Sequence, residues 1–227
     1  MNIRSYGDTA LLLNFEQKIS PNINAKVVAW NQAIQKANIS SVVYTIPAYC
    51  SLTVVFDPVQ TNHQQLAEHI KSLELPKNSA ITAKTHQVPV CYEQPYALDI
   101  QEVAQQTGLD HKEIIQIHTQ DTFQVYMLGF LPGFAYMGKL PKELYCRRKL
   151  TPRPKVPACA VGLAGQQTGI YPSVAPGGWQ IIGQTPIPIF NPNKEQPFLF
   201  SVGDRVQFQA ISQQEFEQLS IVYQNGY

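Results

Sequence analysis

Leu128 to Pro141 reads LGFLPGFAYMGKLP, and its glycines and prolines permit neither a helix nor a long strand. Gly129, Gly133 and Gly138 fall among aromatic and aliphatic residues, while Pro132 and Pro141 stop each short apolar run. Outward from this stretch the punctuation continues: ten of the 17 prolines and nine of the 13 glycines lie between Leu128 and Pro192. A chain interrupted this often makes short strands joined by long ordered loops, as in a small closed barrel. Thr122 to Leu128 is expected to begin this β-rich region. Phe198 to Ile211 is expected to close it as a hairpin turning at Val202-Gly203-Asp204-Arg205.

Upstream the pattern changes. Thr9 to Phe15 is an apolar run of strand length, and Ser20-Pro21 is a helix start followed by the stripe Ile23, Val27, Trp30, Ile34. Ser41 to Ile46 and Leu52 to Phe56 are β-branched runs around a turn containing Pro47. Leu66, Ile70 and Leu73 mark a second helix that Pro76 stops, and Ile81 to Val90 reads as a further strand. The order βαββαβ is that of the ferredoxin-like split βαβ unit. The expected fold class is α+β, a ferredoxin-like α/β sandwich over 1–88 followed by a β-barrel domain over 89–227. Between them, Ile100 to Gln116 reads as two short helices, the second opened by an Asp110/Glu113 capping box. That pair has the look of a DNA-binding helix-turn-helix. Its second helix holds Lys112 beside Glu113, too little positive charge to neutralise phosphates, so a structural helical hairpin is favoured.

Composition sets further bounds. A net charge of +1 gives no general reason to bind nucleic acid or an anionic membrane. No apolar run approaches the roughly 20 residues of a membrane helix. The short run Ala10–Leu13, with Asp8 before it, does not make a signal peptide, so a cytoplasmic location is expected. Cys50, Cys91, Cys146 and Cys159 lie far apart without metal-ligand spacing, which reads as free thiols and no bound metal.

The chemistry concentrates in one region. Between Lys139 and Lys155 seven basic residues face a single acid, Glu143, leaving ten basic and 15 acidic residues elsewhere. Prolines at 141, 152, 154 and 157 stiffen this loop. Guanidinium forks grip carboxylate or phosphate, so an anionic ligand is one reading and a merely solvated basic loop the other. Gly129–Tyr136, Gly165–Pro172 and Pro176–Trp179 bring glycines beside aromatics, where backbone can approach a ligand against an apolar wall. His118 is the nearest histidine to these segments and hence the acid–base candidate, with a helix-terminal structural role as the alternative. There is no nucleophile elbow, P-loop or G-x-G-x-x-G motif.

Taken in order, GDTALLLNF, PAYCSLTVVFDP, GFLPGFAYMGKLP, RRKLTPRPKVPA, GLAGQQTGIYP, APGGWQIIGQTP and VGDRVQF resemble the allophanate hydrolase subunit 1 family over nearly the whole chain. That family includes B subunits of 5-oxoprolinase and an inhibitor of a sporulation histidine kinase. The resemblance implies a small N-terminal α+β domain and a cyclophilin-like β-barrel. It also implies ATP as co-substrate, with Mg as its companion ion, and the C subunit (a related barrel) and A subunit of 5-oxoprolinase as partners. The activity implied is ATP-driven opening of 5-oxoproline to glutamate by the assembled subunits. The alternative is a regulatory protein that inhibits a histidine kinase. Within that frame His118 is the expected catalytic residue, and Arg148 and Arg153 the expected anion binders. Gln166, Gln167, Thr168 and Tyr171 are expected to orient polar substrate atoms, with Phe130, Phe134 and Trp179 as walls. Three departures from the family pattern stand out: Ala158-Cys159-Ala160 where Ala-Gly-Ser is common, Ala175 for Ser, and Gln184 for Arg.

Overall fold

The computed structural model describes residues 1–75 and 83–226, and the chain divides into two compact units, Met1–Ile81 and Thr82–Tyr227. The expected helix stop at Pro76 lies outside the described residues.

The first unit runs β1 (Asn2–Ser5), β2 (Ala10–Asn14), α1 (Pro21–Ala37), β3 (Val42–Pro47), β4 (Ser51–Phe56) and α2 (His63–Ser72). Pro21 sits in the first turn of α1, where its missing N–H costs nothing, and Asn38 ends the helix in the left-handed conformation. In α2 the Asn62 side chain accepts the Gln65 backbone N–H at 3.0 Å. The sheet order is β1-β2-β4-β3, every neighbouring pair antiparallel. Leu11 and Leu13 on β2 and Leu52, Val54 and Phe56 on β4 face the helices. They pack with Val27, Ile34, Leu66 and Ile70, each buried side chain contributing roughly 1.5–3 kcal/mol.

The connectivity differs from the expected βαββαβ. The place beside β2 is filled by β1, which precedes it, and the strand after α2 leaves this sheet altogether. That strand, β5 (Thr85–Cys91), pairs in parallel with a C-terminal strand of the second unit. Its alternating Val88 and Val90 would suit either sheet, so the pattern alone could not place it.

The second unit continues with α3 (Ile100–Thr107), α4 (His111–Gln120), β6 (Thr122–Leu128), β7 (Ala135–Gly138), β8 (Arg153–Val156), β9 (Ala160–Ala164), β10 (Gln167–Ile170), β11 (Ala175–Gly177), β12 (Gln180–Gln184), β13 (Arg205–Ile211) and α5 (Gln213–Gly226). Seven of these strands close a barrel in the order β10-β7-β6-β13-β5-β12-β9, and β8 and β11 form a separate two-stranded sheet. Val88, Val90, Phe123, Val125, Met137, Val161, Leu163, Ile182, Val206 and Phe208 belong to its buried core. The Asp110/Glu113 capping box is present, and Ile100, Val103 and Ile114 turn the two helices onto that core as a structural hairpin. The expected closing hairpin is absent: β13 lies between β5 and β6, and Phe198 makes only an isolated bridge to Phe190. Asp204 causes this, because its carboxylate accepts both Ser201 N–H and Lys84 N–H and so ties the turn to β5. Among the described residues no helix is long and apolar enough to cross a membrane.

Candidate functional site

On the outside of the barrel Gly162 of β9 lies opposite Gly169 of β10. A Cβ on Gly169 would stand 2.9 Å from the Ala135 carbonyl and 3.1 Å from both Phe134 and Trp179, and one on Gly162 3.1 Å from Trp179. The glycine pair therefore leaves a bare strip of sheet on which two aromatic rings rest. Phe134 is the hub, edge-on to Trp179 at 5.4 Å and to Tyr171 at 4.9 Å and tilted against Tyr136 at 4.5 Å. Tyr171 accepts the Trp179 backbone N–H, and a Cβ on Gly177 would collide with its hydroxyl. Burial raises the Tyr171 and Tyr136 phenols above their ordinary values, and the nearby Arg148 charge opposes this in both.

The basic loop borders this platform and is clamped. Asp99, buried just before α3, receives Arg153 through both guanidinium arms at 2.8 and 2.9 Å, Lys149 Nζ at 3.0 Å and the Ile181 backbone N–H at 2.8 Å. Burial alone would raise the Asp99 carboxyl, but these donors outweigh it and hold the carboxyl below its ordinary range. Glu102 takes Lys149 at 2.5 Å, and Gln180 bridges Glu102 and the Arg147 carbonyl. The Glu102 bond leads the causes that raise Lys149, as the Asp99 bond does for Arg153. Lys149 N–H also reaches Gly178 O at 2.8 Å. Arg148 is left facing outward, exposed and without an ion pair among the described residues, its guanidinium beside Gly178. Leu150, two residues further along the loop, is fully exposed.

The expected site residues thus separate. Phe134, Tyr171 and Trp179 come together under Arg148. Phe130 stands at the rim, 64% exposed with φ 69° and edge-on to Phe134 at 6.0 Å. Gln166 and Gln167 lie at the β9–β10 turn, at the far end of β10 from Tyr171. Arg153 differs from expectation: its fork is occupied by Asp99, so it positions the loop and is not presented to a ligand.

His118 and Thr168 also differ. His118 is fully buried, with Nδ1 2.8 Å from Tyr92 Oη and Nε2 3.0 Å from Thr168 Oγ1, and it stacks on Phe208 at 4.5 Å. Burial drives its pKa down to about 3, so at neutral pH the ring is uncharged. Both nitrogens are satisfied within the protein, and the strand alternation that turns Gly169 outward turns Thr168 inward. His118 is placed as a core hydrogen-bonding residue, away from the platform.

Asp99, Glu102, Gln180 and Tyr136 were not singled out from the sequence. A carboxylate before a helix is an ordinary capping signal, and only the fold brings the loop to Asp99. Cys159 has φ 61°, a left-handed position, which accounts for glycine being common there. Gln184 donates to the Ala158 carbonyl at 2.8 Å and so serves the same turn. The four cysteines are free, and among the described residues no group of His, Cys, Asp and Glu could hold a metal.

A profile described as "Carboxyltransferase domain, subdomain C and D" matches residues 1–200. The chain is 36% identical over 227 residues to the 5-oxoprolinase B subunit of Bacillus subtilis strain 168, covering 94% of each. It is 34% identical over 207 residues to the 5-oxoprolinase B subunit of Escherichia coli O157:H7, covering 89% of this chain and 92% of that one. The crystal structure of TTHA0988 superposes with a TM-score of 0.80 at 34% identity. It matches 93% of this chain, which spans only 40% of that longer one. A barrel whose outer face carries this aromatic strip and clamped basic loop thus belongs to the family of carboxyltransferase domains with subdomains C and D, among the bacterial 5-oxoprolinase B subunits.

Proposed function

We propose that the chain is one component of an ATP-dependent 5-oxoprolinase, opening 5-oxo-L-proline to L-glutamate with ATP hydrolysis only when assembled with the C-type barrel and the A-type chain of that enzyme. The observation that carries this reading is Arg148, exposed beside the Phe134–Tyr136–Tyr171–Trp179 cluster on a loop whose Lys149 and Arg153 are committed to Asp99 and Glu102. The rings beneath are themselves buried, Phe134 and Tyr171 1% and Trp179 5% exposed, so they brace the loop, and the group offered outward is a guanidinium fork that suits one carboxylate.

The lactam C–N bond is protected by resonance. Transfer of a phosphoryl group from ATP to the lactam oxygen removes that protection. Water can then add at carbon and the C–N bond breaks with the nitrogen taking a proton, leaving an acyl phosphate that a second water hydrolyses to the carboxylate and free phosphate. Such a transfer relies on positioning and on several charge contacts around the phosphates. The outward fork of Arg148 can hold a substrate carboxylate, and with the exposed Arg147 as its neighbour the loop still offers too few charge contacts to cradle a triphosphate as well. The site is therefore half of one, and a partner surface completes it. Fully exposed Leu150, in the same loop as Arg147 and Arg148, suits burial in such a contact.

The test is glutamate release from 5-oxoproline and ATP by each chain alone, each pair and the full set. Turnover is expected only with the full set. Full turnover without this chain would refute the reading. So would an inactive full set alongside tight binding of this chain to a histidine kinase, the result that would favour the regulatory alternative.

A further inference from the structure

The connection between β6 and β7 holds a conformation that its sequence resists. Leu128 of β6 pairs with Ala135 of β7, and residues 129–134 turn the chain between them. The turn is closed twice: Phe134 N–H bonds Leu131 O at 3.0 Å, and Gly129 N–H bonds Phe134 O at 3.2 Å. Phe130 and Gly133 both have positive φ, 69° and 84°. At 133 the residue suits its place, since a Cβ there would also lie 2.9 Å from Phe190. At 130 it does not: a bulky aromatic residue occupies the left-handed region, where its Cβ crowds its own backbone.

Packing does not offset that strain. The Phe130 ring is 64% exposed, and its contact with Phe134 is edge-on at 6.0 Å. Glycine or asparagine at 130 would keep the turn while shedding both the strain and an exposed apolar ring. A residue that is strained and poorly buried at once signals a role beyond the stability of its own fold.

The surroundings of the ring narrow what could cover it. Phe134 joins Phe130 to Trp179, and the Arg148 guanidinium lies beside Gly178, the residue before Trp179. In that loop Lys149 and Arg153 are paired with Asp99 and Glu102, whereas Arg147 and Arg148 are exposed and without an ion pair among the described residues. An aromatic ring bordering the same cluster as exposed arginines is the composition of a protein–protein hot spot. Two copies of this chain meeting here about a two-fold axis would set the cations against one another. A surface that places carboxylates around an apolar socket meets no such repulsion. A small-molecule site encloses most of its ligand, which a ring this exposed does not do.

We propose that Phe130 anchors a partner chain, the C-type barrel, by entering an apolar socket edged by carboxylates. The choice of partner rests on the oxoprolinase reading, whereas the strain and exposure of the ring are independent of it.

The experiment measures association of the full chain with the C-type barrel chain by sedimentation and calorimetry, together with melting temperatures, for wild type, Phe130→Gly, Phe130→Ala and Arg147→Glu. Phe130→Gly is expected to melt no lower than wild type, and Phe130→Ala within about 4 °C of it. Both should weaken association at least roughly tenfold, the Ala variant showing that the ring and not the backbone turn is responsible. Arg147→Glu and added salt should each weaken it as well. Wild-type association in both Phe130 variants would overturn the proposal and leave the oxoprolinase reading standing. A melting temperature lowered by more than about 4 °C in Phe130→Gly would make the ring a structural one and overturn it too. Unchanged association with weakened 5-oxoproline use by the assembled subunits would turn the ring to the substrate, and self-association of the wild-type chain lost in Phe130→Ala would turn it to a second copy. Either result refutes the anchor. Association indifferent to both salt and Arg147→Glu would overturn the carboxylate-edged socket. Failure of the wild-type chain to bind the C-type barrel would overturn this inference and the proposed function together. Association lost in the Phe130 variants, with no turnover by the full wild-type set, would leave the anchor intact and remove the proposed activity.

Discussion

Replacing Asp99 with Asn tests the clamp on which the platform depends. The side chain keeps its shape and loses its charge. Arg153 and Lys149, with side chains 25% and 20% exposed, then lose their shared counter-ion. Breaking a buried ion pair from one side costs about 3–5 kcal/mol, and water reaching these two cations lowers that to about 3 kcal/mol. For a unit of this size the loss corresponds to a melting temperature lower by about 6–12 °C. Because the folded Asp99 carboxyl lies below its unfolded value, its stabilisation is complete above the unfolded pKa of about 3.9 and fades as pH falls through the folded value. Thermal melts at pH 7 and between pH 3 and 5 read both effects. The Asn variant should be less stable at neutral pH and flatter with pH in acid. Hydrogen exchange should show lost protection at Lys149 and Ile181, whose N–H groups are fixed by the clamped loop and by Asp99. A variant melting within about 1 °C of wild type at pH 7 would show that the network is not holding the loop.

The remaining predictions are narrower. Gly177→Ala should cost about 1–3 kcal/mol in denaturant melts through collision with Tyr171, and Tyr171→Phe should restore only part of that loss, because the added Cβ would still lie 2.8 Å from the ring Cζ. The His118 imidazole should show no titration by NMR between pH 5 and 8. Because its folded pKa lies below the unfolded 6.5, stability should fall by about 1.4 kcal/mol per pH unit as pH drops below that value, a slope that His118→Gln should remove. Cys159→Gly should raise stability by about 1 kcal/mol in urea melts by relieving a left-handed backbone at a residue with a Cβ. Arg148→Ala should leave the melting temperature unchanged and weaken 5-oxoproline use by the assembled subunits roughly tenfold or more, with Lys an incomplete rescue.

Local sequence settled the features whose physics is local. Ser20-Pro21 starts α1, the Asp110/Glu113 box starts α4, and the alternation in Leu52–Phe56 makes β4, because each depends on residues within a turn or a pleat of one another. The density of glycine and proline after Leu128 likewise announced short strands and ordered loops. What the sequence left open depended on partners far along the chain. β5 joins β13 because Lys84 and Asp204 meet across 120 positions, and a period-two pattern cannot name its sheet. Arg153 and Arg148 look alike in RRKLTPRP, but Asp99, 54 residues before Arg153, occupies one fork and leaves the other outward. Thr168 and Gly169 are neighbours on one strand, and barrel closure sends the first to His118 and leaves the second beneath Trp179. Residue types and spacing fixed the chemistry this chain could offer. Which groups remain available depends on long-range pairing, because a charge or ring nitrogen already satisfied within the fold has no hydrogen bond left for a ligand.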